Sequence, residues 1–117
     1  MKPIHDRYGS VVAWLHDADI YDLHGHHSAF INGQGVYNHT GQHIGDFKRG
    51  LFRNHSGHSV AFVPDASGTP LSPIRERAAV APFRSLPPVR PVFSTPPVPA
   101  FPSSTWSDKR WDEFIGD

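Results

Sequence analysis

Apolar, small and turn-forming residues recur along the first part of the chain at a fixed spacing of 16 residues. Gly9, Gly25, Gly41 and Gly57 mark the period, and an Asp or Asn stands three positions before each of them. A large apolar residue lies five positions before each glycine, and an alanine or glycine lies four positions after it. Four such columns in four copies predict an internal structural repeat.

Each repeat has the pattern of one β-hairpin. The Asx side chain can accept hydrogen bonds from backbone N–H groups just ahead of it, and glycine supplies the positive φ that a tight turn needs. Short strand-like runs flank the turn, such as Ile20-Tyr21 before it and Ser28 to Ile31 after it. Because a single hairpin is only marginally stable in water, the four must bury their apolar faces together. The pattern predicts an all-β fold over residues 1–66, with four β-hairpin repeats of 16 residues about a pseudo-fourfold axis.

The repeat units and the end of the chain resemble a known family. The stretches IYDLHGHHSAFI and LFRNHSGHSVAFV, the Pro-rich segment and the ending STWSDKRWDEFIGD look like the bacterial 4-fold beta flower proteins. This resemblance covers nearly the whole chain. It implies the four-hairpin fold and a bacterial, cytoplasmic setting, and it implies no activity. The chain departs from the pattern in its His-rich turns and in Asp46, which stands where the other repeats have an aromatic residue.

Proline separates the repeats from the rest of the chain, since eleven of the twelve prolines lie between Pro64 and Pro102. From Val80 onward nearly every third residue is apolar, which is the period of a polyproline II helix. Such a rod would reach roughly 70 Å, whereas a domain of this size is about 25–30 Å across. It must therefore wrap, bend or lie on another surface. We predict an extended Pro-rich arm over residues 67–102 that supports homo-oligomerisation, with a disordered linker as the alternative.

Residues 103–117 are predicted to form a short C-terminal helix with an aromatic face. Ser107 is placed to cap it, and Trp111, Phe114 and Ile115 lie on one face. This clasp is expected to close the core of its own or a neighbouring domain, or to bind an unknown protein partner as a linear motif. The residues predicted to bind a second copy or another partner are Val80, Phe83, Leu86, Val89, Val92, Val98, Phe101, Trp106, Trp111 and Phe114.

Histidine is the residue type whose frequency suggests chemistry, with nine in 117 residues. Repetition would bring equivalent turns to one rim, where imidazoles could bind Zn, Cu or Ni with Asp6 or Asp22 adding an oxygen ligand. Against a metal site, the histidines do not share one repeat column and no zinc-binding spacing is present. Solvated turn histidines are the favoured interpretation, with a metal site as the alternative, and no cofactor is expected. The candidate metal ligands are His24, His26, His27, His39, His43, His55 and His58.

Charge and motifs narrow the function classes. Eleven basic side chains balance eleven acidic ones, so we expect no binding to nucleic acid or to a membrane. There is no cysteine and no catalytic motif, so we expect no enzyme activity and name no catalytic residue. The chain has neither a membrane-length apolar run nor a secretory signal, which predicts a cytoplasmic protein.

Two function classes remain. The first is a non-catalytic, self-associating structural or interaction module that uses the Pro-rich arm and the aromatic C-terminus. The second is a small-ligand module, in which turn histidines bind metal or Tyr21 and Tyr37 stack on sugar-like ligands. Exposed tyrosine rings around a shared pocket would favour the second class, whereas buried rings with the apolar residues of the arm docked on another chain would favour the first.

Overall fold

The structure, a computed structural model, describes residues 1–67, 73–75, 77 and 80–116. Parts of the predicted arm between residues 67 and 80, and Asp117 in the predicted clasp, lie outside the described residues. Among the residues it does describe, none belongs to a helix with the length and apolar character needed to cross a membrane. The elements are β1 (Lys2–Asp6), β2 (Val11–His16), β3 (Asp19–Tyr21), β4 (His27–Asn32), β5 (Gly35–Tyr37), β6 (His43–Lys48), β7 (Leu51–Arg53), β8 (Ser59–Phe62) and α1 (Trp111–Ile115).

The eight strands form a closed antiparallel barrel in which each strand pairs with its neighbours in the chain. The barrel closes where β1 meets β8, with His5 opposite Phe62 and Asp6 opposite Ala61. Each repeat contributes one strand before its Asx turn and one after it. The predicted all-β fold of four hairpin repeats is confirmed. Closure leaves no free strand edge in the barrel, which a stack of separate hairpins would have exposed.

The interior of the barrel is filled by large and small residues in alternation. The large apolar residue of each repeat pairs across strands with the small one, as in Ile4 with Ala13 and Val36 with Gly45. Ile4, Ala13 and Val36 are all fully buried. An eight-stranded barrel has an interior just wide enough for side chains to fill. A large side chain on one strand therefore requires a small one beside it, which explains why the repeat keeps both columns.

The aromatic clasp packs on the end of the barrel that carries the Asx turns. Trp111 and Phe114 are buried, and the Trp111 ring lies edge-on to Phe52 with 5.2 Å between centroids. A Cβ on Gly45 would overlap the ring of Phe114. The glycine that replaces alanine in the third repeat therefore makes room for this ring.

The predicted start of the helix is wrong. The helix begins at Trp111, with Arg110 as the preceding cap residue. Ser107 instead closes an earlier turn, in which its Oγ accepts a hydrogen bond from the Lys109 N–H at 3.1 Å. The Arg110 N–H donates to Glu113 Oε1 at 3.3 Å. Ser107 is buried where the chain leaves the barrel surface, and this tertiary contact, rather than local capping preference, places the helix start.

Candidate functional site

Four turns of the same construction form one rim of the barrel, and we call them the rim turns (residues 6–10, 22–26, 38–42 and 54–58). In the second, Asp22 Oδ1 accepts hydrogen bonds from the N–H groups of His24 and His26 at 2.8 and 2.9 Å. The other three turns repeat this pair of bonds at 2.9–3.1 Å. The four glycines have φ between +80° and +87°. The predicted turn chemistry is confirmed in every repeat.

The Pro-rich segment crosses the rim turns in order around the barrel. A Cβ added to Gly25 would overlap the carbonyl oxygen of Phe83, so the arm backbone lies directly on the glycine. The same contact occurs at each rim glycine, and its partner advances by nine residues per turn. The four contacts are Gly9 with Ile74, Gly25 with Phe83, Gly41 with Val92 and Gly57 with Phe101. We call each repeat of 16 residues, together with the nine arm residues that cover it, a quarter of the molecule.

Serines fasten the arm to the rim turns. The N–H groups of Ser85, Ser94 and Ser103 donate to the carbonyl oxygens of the glycines at 25, 41 and 57, at 2.8, 2.8 and 3.0 Å. The hydroxyl oxygens of Ser85 and Ser94 also accept from the backbone N–H groups of His27 and His43. Sequence reasoning missed these serines. Their nine-residue spacing, each two positions after an apolar residue, was the signal that could have found them.

Because the backbone of the arm faces the barrel, its period-three apolar residues face outward. Every one of them that the sequence predicted to bind a partner between residues 80 and 101 is at least 92 % exposed. We call this set the apolar stripe: Val80, Phe83, Leu86, Val89, Val92, Val98 and Phe101.

The arginines of the same segment turn the opposite way. Arg90 donates from Nη2 to the carbonyl oxygen of Ile31 at 2.6 Å, and its guanidinium lies 5.3 Å from the ring centre of Phe30. The positive charge of Arg84 acts on the Tyr21 hydroxyl in the direction that lowers its pKa. Arg90 is thus held against the barrel wall, although it stays partly exposed like Arg84.

The histidine that begins β4 or β6 pairs with a histidine of the next rim turn. His27 Nδ1 lies 2.8 Å from His39 Nε2, and His43 Nδ1 lies 2.9 Å from His55 Nε2. The two pairs are one repeat apart. On the other side of each inner ring stands a carboxylate, for example Asp19 at 2.8 Å from His27 Nε2. Two chains of the form Asp–His–His therefore run from the barrel wall to solvent.

The hydrogen bonds determine which ring nitrogen carries the proton. Asp19 accepts from His27 Nε2–H, so the neutral His27 offers Nδ1 as acceptor to His39 Nε2–H. Burial, and then the charge of His27, lower the pKa of His39 below its usual value. If both rings were protonated, two N–H groups would face each other across 2.8 Å. The contact with His27 therefore favours the neutral form of His39.

These pairs disfavour the predicted metal site. A tetrahedral metal ion bound to two imidazoles would hold their nitrogens about 3.3 Å apart, so it would have to break the direct hydrogen bond. Of the other candidate ligands, His26 faces Asp22 at 3.5 Å, and the ring centres of His24 and His26 are 6.4 Å apart. His58 is half-buried in the fourth rim turn. In the described part of the chain, no three His, Asp or Glu side chains are placed to hold a metal ion.

The Asp–His order matches the orienting half of a hydrolytic triad. In such a triad the far side of the imidazole faces a nucleophilic hydroxyl or thiol. Here the far side of His27 faces His39, and the far side of His43 faces His55. These chains can hold and pass a proton but contain no nucleophile.

The proposed tyrosine platforms are not available to a ligand. Tyr21 and Tyr37 are buried, and the Tyr37 ring packs against Phe93 of the arm with 4.6 Å between centroids. Burial raises the pKa of Tyr21, and the charge of Asp19 raises it further, while Arg84 acts in the opposite direction. The rings therefore belong to the contact between barrel and arm, which disfavours the sugar-binding module. The other half of the criterion, docking of the arm on another chain, stays a prediction.

The three C-terminal aromatic residues differ in their placement. Trp111 and Phe114 pack in this chain's own barrel, so their rings are not offered to a partner in this arrangement. Trp106 is half-buried, 6.0 Å from the ring of Phe62, and forms an isolated parallel bridge with Ser59. Of the two alternatives for the clasp, the packing corresponds to the closing of its own core.

Comparison with known proteins gives one match. The family model of the 4-fold beta flower proteins matches residues 2–115, which is nearly the whole chain. Neither the curated proteins nor the solved structures give a match. The family is one of unknown function, and the match brings no evidence of catalysis or of a specific ligand. With its four rim turns, closed barrel and family match together, the chain belongs to the 4-fold beta flower protein family.

Proposed function

We propose that this protein is a non-catalytic, self-associating module whose apolar stripe binds a second copy of the chain. The observation that carries the proposal is the exposure of the stripe. Its seven side chains stand in solvent although the backbone beneath them is fastened to the rim turns. Large apolar side chains exposed in this number along one segment mark an interaction site.

The energetic scale supports association. Full burial of one such side chain contributes about 1.5–3 kcal/mol, and the stripe has seven of them. Association costs about 4–15 kcal/mol in lost freedom of the two partners. Because the arm is already held on the barrel, little further ordering of its backbone is needed on binding. Full burial of the stripe, about 10–21 kcal/mol, is therefore as large as or larger than this cost.

Charge and repetition favour a second copy as the occupant. The net charge of the chain is zero, so two copies do not repel one another at long range. Arg90 donates to the carbonyl oxygen of Ile31 in the barrel, so its guanidinium group is directed away from the apolar stripe. The stripe also repeats at nine-residue intervals, as at Phe83, Val92 and Phe101. A repeated apolar surface can meet its own copy in a self-complementary, isologous contact.

Light scattering of the full chain tests the proposal. We expect a molar mass at least twice the 13.0 kDa of the monomer. A variant with Phe83→Ser, Val92→Ser and Phe101→Ser is expected to be monomeric with an unchanged circular dichroism spectrum, because these side chains make no contribution to the core. Leu23→Ser is the matched control, since Leu23 is an exposed apolar residue outside the stripe.

Three results would overturn the proposal: a monomeric wild-type chain at about 100 µM, a triple variant that stays oligomeric, or equal loss of the oligomer in the Leu23→Ser control. Addition of a chelator is expected to leave the oligomer intact. Dissociation by chelator alone would assign assembly to the rim histidines instead.

We also propose that the protein acts in the cytoplasm of a bacterium. This setting rests on the family likeness. The absence of catalysis rests on the two Asp–His–His chains, in which the position of a nucleophile is taken by a second imidazole.

A further inference from the structure

The four quarters of the barrel are not alike at one pair of residues. Where the last strand of one repeat pairs with the first strand of the next, two side chains lie opposite each other on the face toward the arm. In three quarters the pair is aromatic or imidazole, whereas in the third it is charged. The pairs are Trp14 with Tyr21, Phe30 with Tyr37, Asp46 with Arg53, and Phe62 with His5.

The second quarter shows how the aromatic version is packed. Phe93 of the arm lies on Phe30 and Tyr37, with ring centres 5.8 and 4.6 Å apart, and Arg90 covers Phe93 at 5.0 Å. Three rings and one guanidinium therefore fill the space between the barrel and the arm in this quarter.

The third quarter lacks all three of those rings. Asp46 and Arg53 stand where the barrel has Phe30 and Tyr37, and nine residues after Phe93 the arm has Pro102. Nine residues after Arg90 it has Pro99. A cavity of about 400 Å³ lies here between barrel and arm. It is wide enough for one substituted aromatic ring, since a cavity of about 150 Å³ already accommodates benzene.

The walls of this cavity are apolar on one side and cationic on the other. Leu51 and the arm residues Pro99, Ala100 and Pro102 supply apolar surface. Such walls suit the flat face of a ring, because they offer apolar surface on which it can be buried.

The charged lining has an excess of two positive charges. Lys48, Arg49 and Arg53 face one carboxylate, Asp46. Asp46 Oδ1 lies 3.3 Å from His43 Nε2, and Arg53 donates from Nη1 to the carbonyl oxygens of Gly57 and Ser103 at 2.7 and 2.8 Å. Arg53 thus holds the arm to the rim, which leaves Lys48 and Arg49 as the cations best placed to receive an anion.

We propose that this cavity binds a small aromatic carboxylate, with its ring in the space that Phe30 and Phe93 fill in the second quarter and its carboxylate toward Lys48 and Arg49. The proposal does not depend on self-association. It differs from the tyrosine and histidine sites expected from the sequence, because the cavity arises where the repeat is broken.

Titration of the full chain by ¹⁵N–¹H NMR tests this site. The probes are sodium benzoate, benzamide with the same ring and no charge, and sodium acetate with the charge and no ring. Benzoate is expected to bind saturably and to shift the backbone signals of Leu51 and Ala100. Benzamide and acetate are expected to bind at least about tenfold more weakly, because benzamide lacks the carboxylate and acetate lacks the ring.

Two kinds of variant locate the site. Arg49→Asn removes one cation and keeps a residue that tolerates the positive φ of this position, +54°. It is expected to weaken benzoate binding about two- to fivefold, the range of an exposed ion pair, as is Lys48→Gln. Lys109→Gln, an exposed cation near the helix, is the matched control and should leave binding unchanged. Asp46→Phe, which restores the aromatic residue of the other repeats, should abolish binding.

Equal affinity for benzoate and benzamide would overturn the role of the cations. Absence of saturable benzoate binding would overturn the site itself, and so would binding that persists in Asp46→Phe. If that variant does not fold, the comparison of Arg49→Asn and Lys48→Gln with Lys109→Gln decides: equal affinity in all three contradicts the proposal.

Discussion

The barrel and the arm use apolar periodicity in opposite ways. In the barrel, the apolar column of the 16-residue repeat faces inward, and residues such as Ile20 and Phe52 are fully buried. In the arm, the apolar period faces outward, and residues such as Phe83 and Val92 are almost fully exposed. The barrel is held by side chains in its core, whereas the arm is held by its backbone on glycines. A regular apolar pattern therefore shows which residues share one face, but it does not show whether that face packs in the core or stays exposed.

The two periods also fit each other in length. Nine residues of extended Pro-rich chain reach about 28 Å at 3.1 Å per residue. The molecule measures 37 × 35 × 21 Å, and a quarter of the circumference of its two long axes is also about 28 Å. The arm that is too long to lie across its own domain is therefore the right length to go around it. Its rim contacts recur at each quarter because the two lengths match.

The largest expected effect on stability comes from the aromatic clasp, whose side chains are buried in the core. Phe114→Ala should lower the free energy of unfolding by about 3–5 kcal/mol, because the ring is buried over Gly45 and its removal leaves a cavity. Urea unfolding of the full chain measures this change. A loss below about 1 kcal/mol would mean that the helix does not seal the barrel.

The next effect concerns the backbone contact between arm and rim. Gly41→Ala would place a methyl group against the carbonyl oxygen of Val92 at a φ of +86°. Gly33→Ala is the matched control, because Gly33 also has positive φ, +61°, but nothing lies within 4 Å of its missing Cβ. The control should cost about 1–2 kcal/mol for the left-handed backbone alone.

Gly41→Ala should cost a further 1–3 kcal/mol, about the penalty of overpacking. It should also increase amide exchange at Ser94, whose N–H bonds the Gly41 carbonyl. Equal losses in the two alanine variants would show that the arm does not press on the rim.

A smaller effect is expected from the histidine pairs. The pKa of His39 is lowered by burial and by the charge of His27, so below pH 6.5 the unfolded chain binds more protons than the folded one. The stability contributed by neutral His39 is therefore present above this pH and decreases as the pH falls. His39→Gln keeps an N–H donor for His27 but does not titrate.

Urea midpoints at about pH 8 and about pH 5.5 measure this dependence. The variant should lose less stability on acidification than the wild type, while His24→Gln, which alters an exposed rim histidine outside the pairs, should behave as the wild type. A wild-type chain whose stability rises on acidification would contradict the assignment.

The smallest effect on folding is expected in the apolar stripe. Phe101→Ala should change the free energy of unfolding by less than about 0.5 kcal/mol at a protein concentration where the chain is monomeric, because the ring is 95 % exposed. Comparison of Phe101→Ala with Phe114→Ala shows how the contacts of each phenylalanine, one exposed and one buried, determine its contribution to stability. A loss comparable to that of Phe114→Ala would show that the stripe is part of the core.

Much of the fold was predictable because its determinants are local. The Asx side chain and the glycine of each rim turn act within five residues, so their spacing predicts the hairpins directly. The candidate site was less predictable. His27 and His39 are twelve residues apart and pair only in the folded barrel. Asp46 and Arg53 line a cavity because the arm residue beside them is Pro102, where the preceding quarter has the ring of Phe93.

The sequence by itself determined the periods: 16 residues in the barrel, the large and small columns of its interior, and three residues per apolar position in the arm. These follow from turn chemistry and from the side-chain directions of strand and extended chain, which are properties of neighbouring residues. Only the tertiary structure decided which way each face turns. The arm carbonyls occupy the space that the rim glycines leave open, and that contact between distant segments directs the apolar stripe to solvent and the arginines to the barrel.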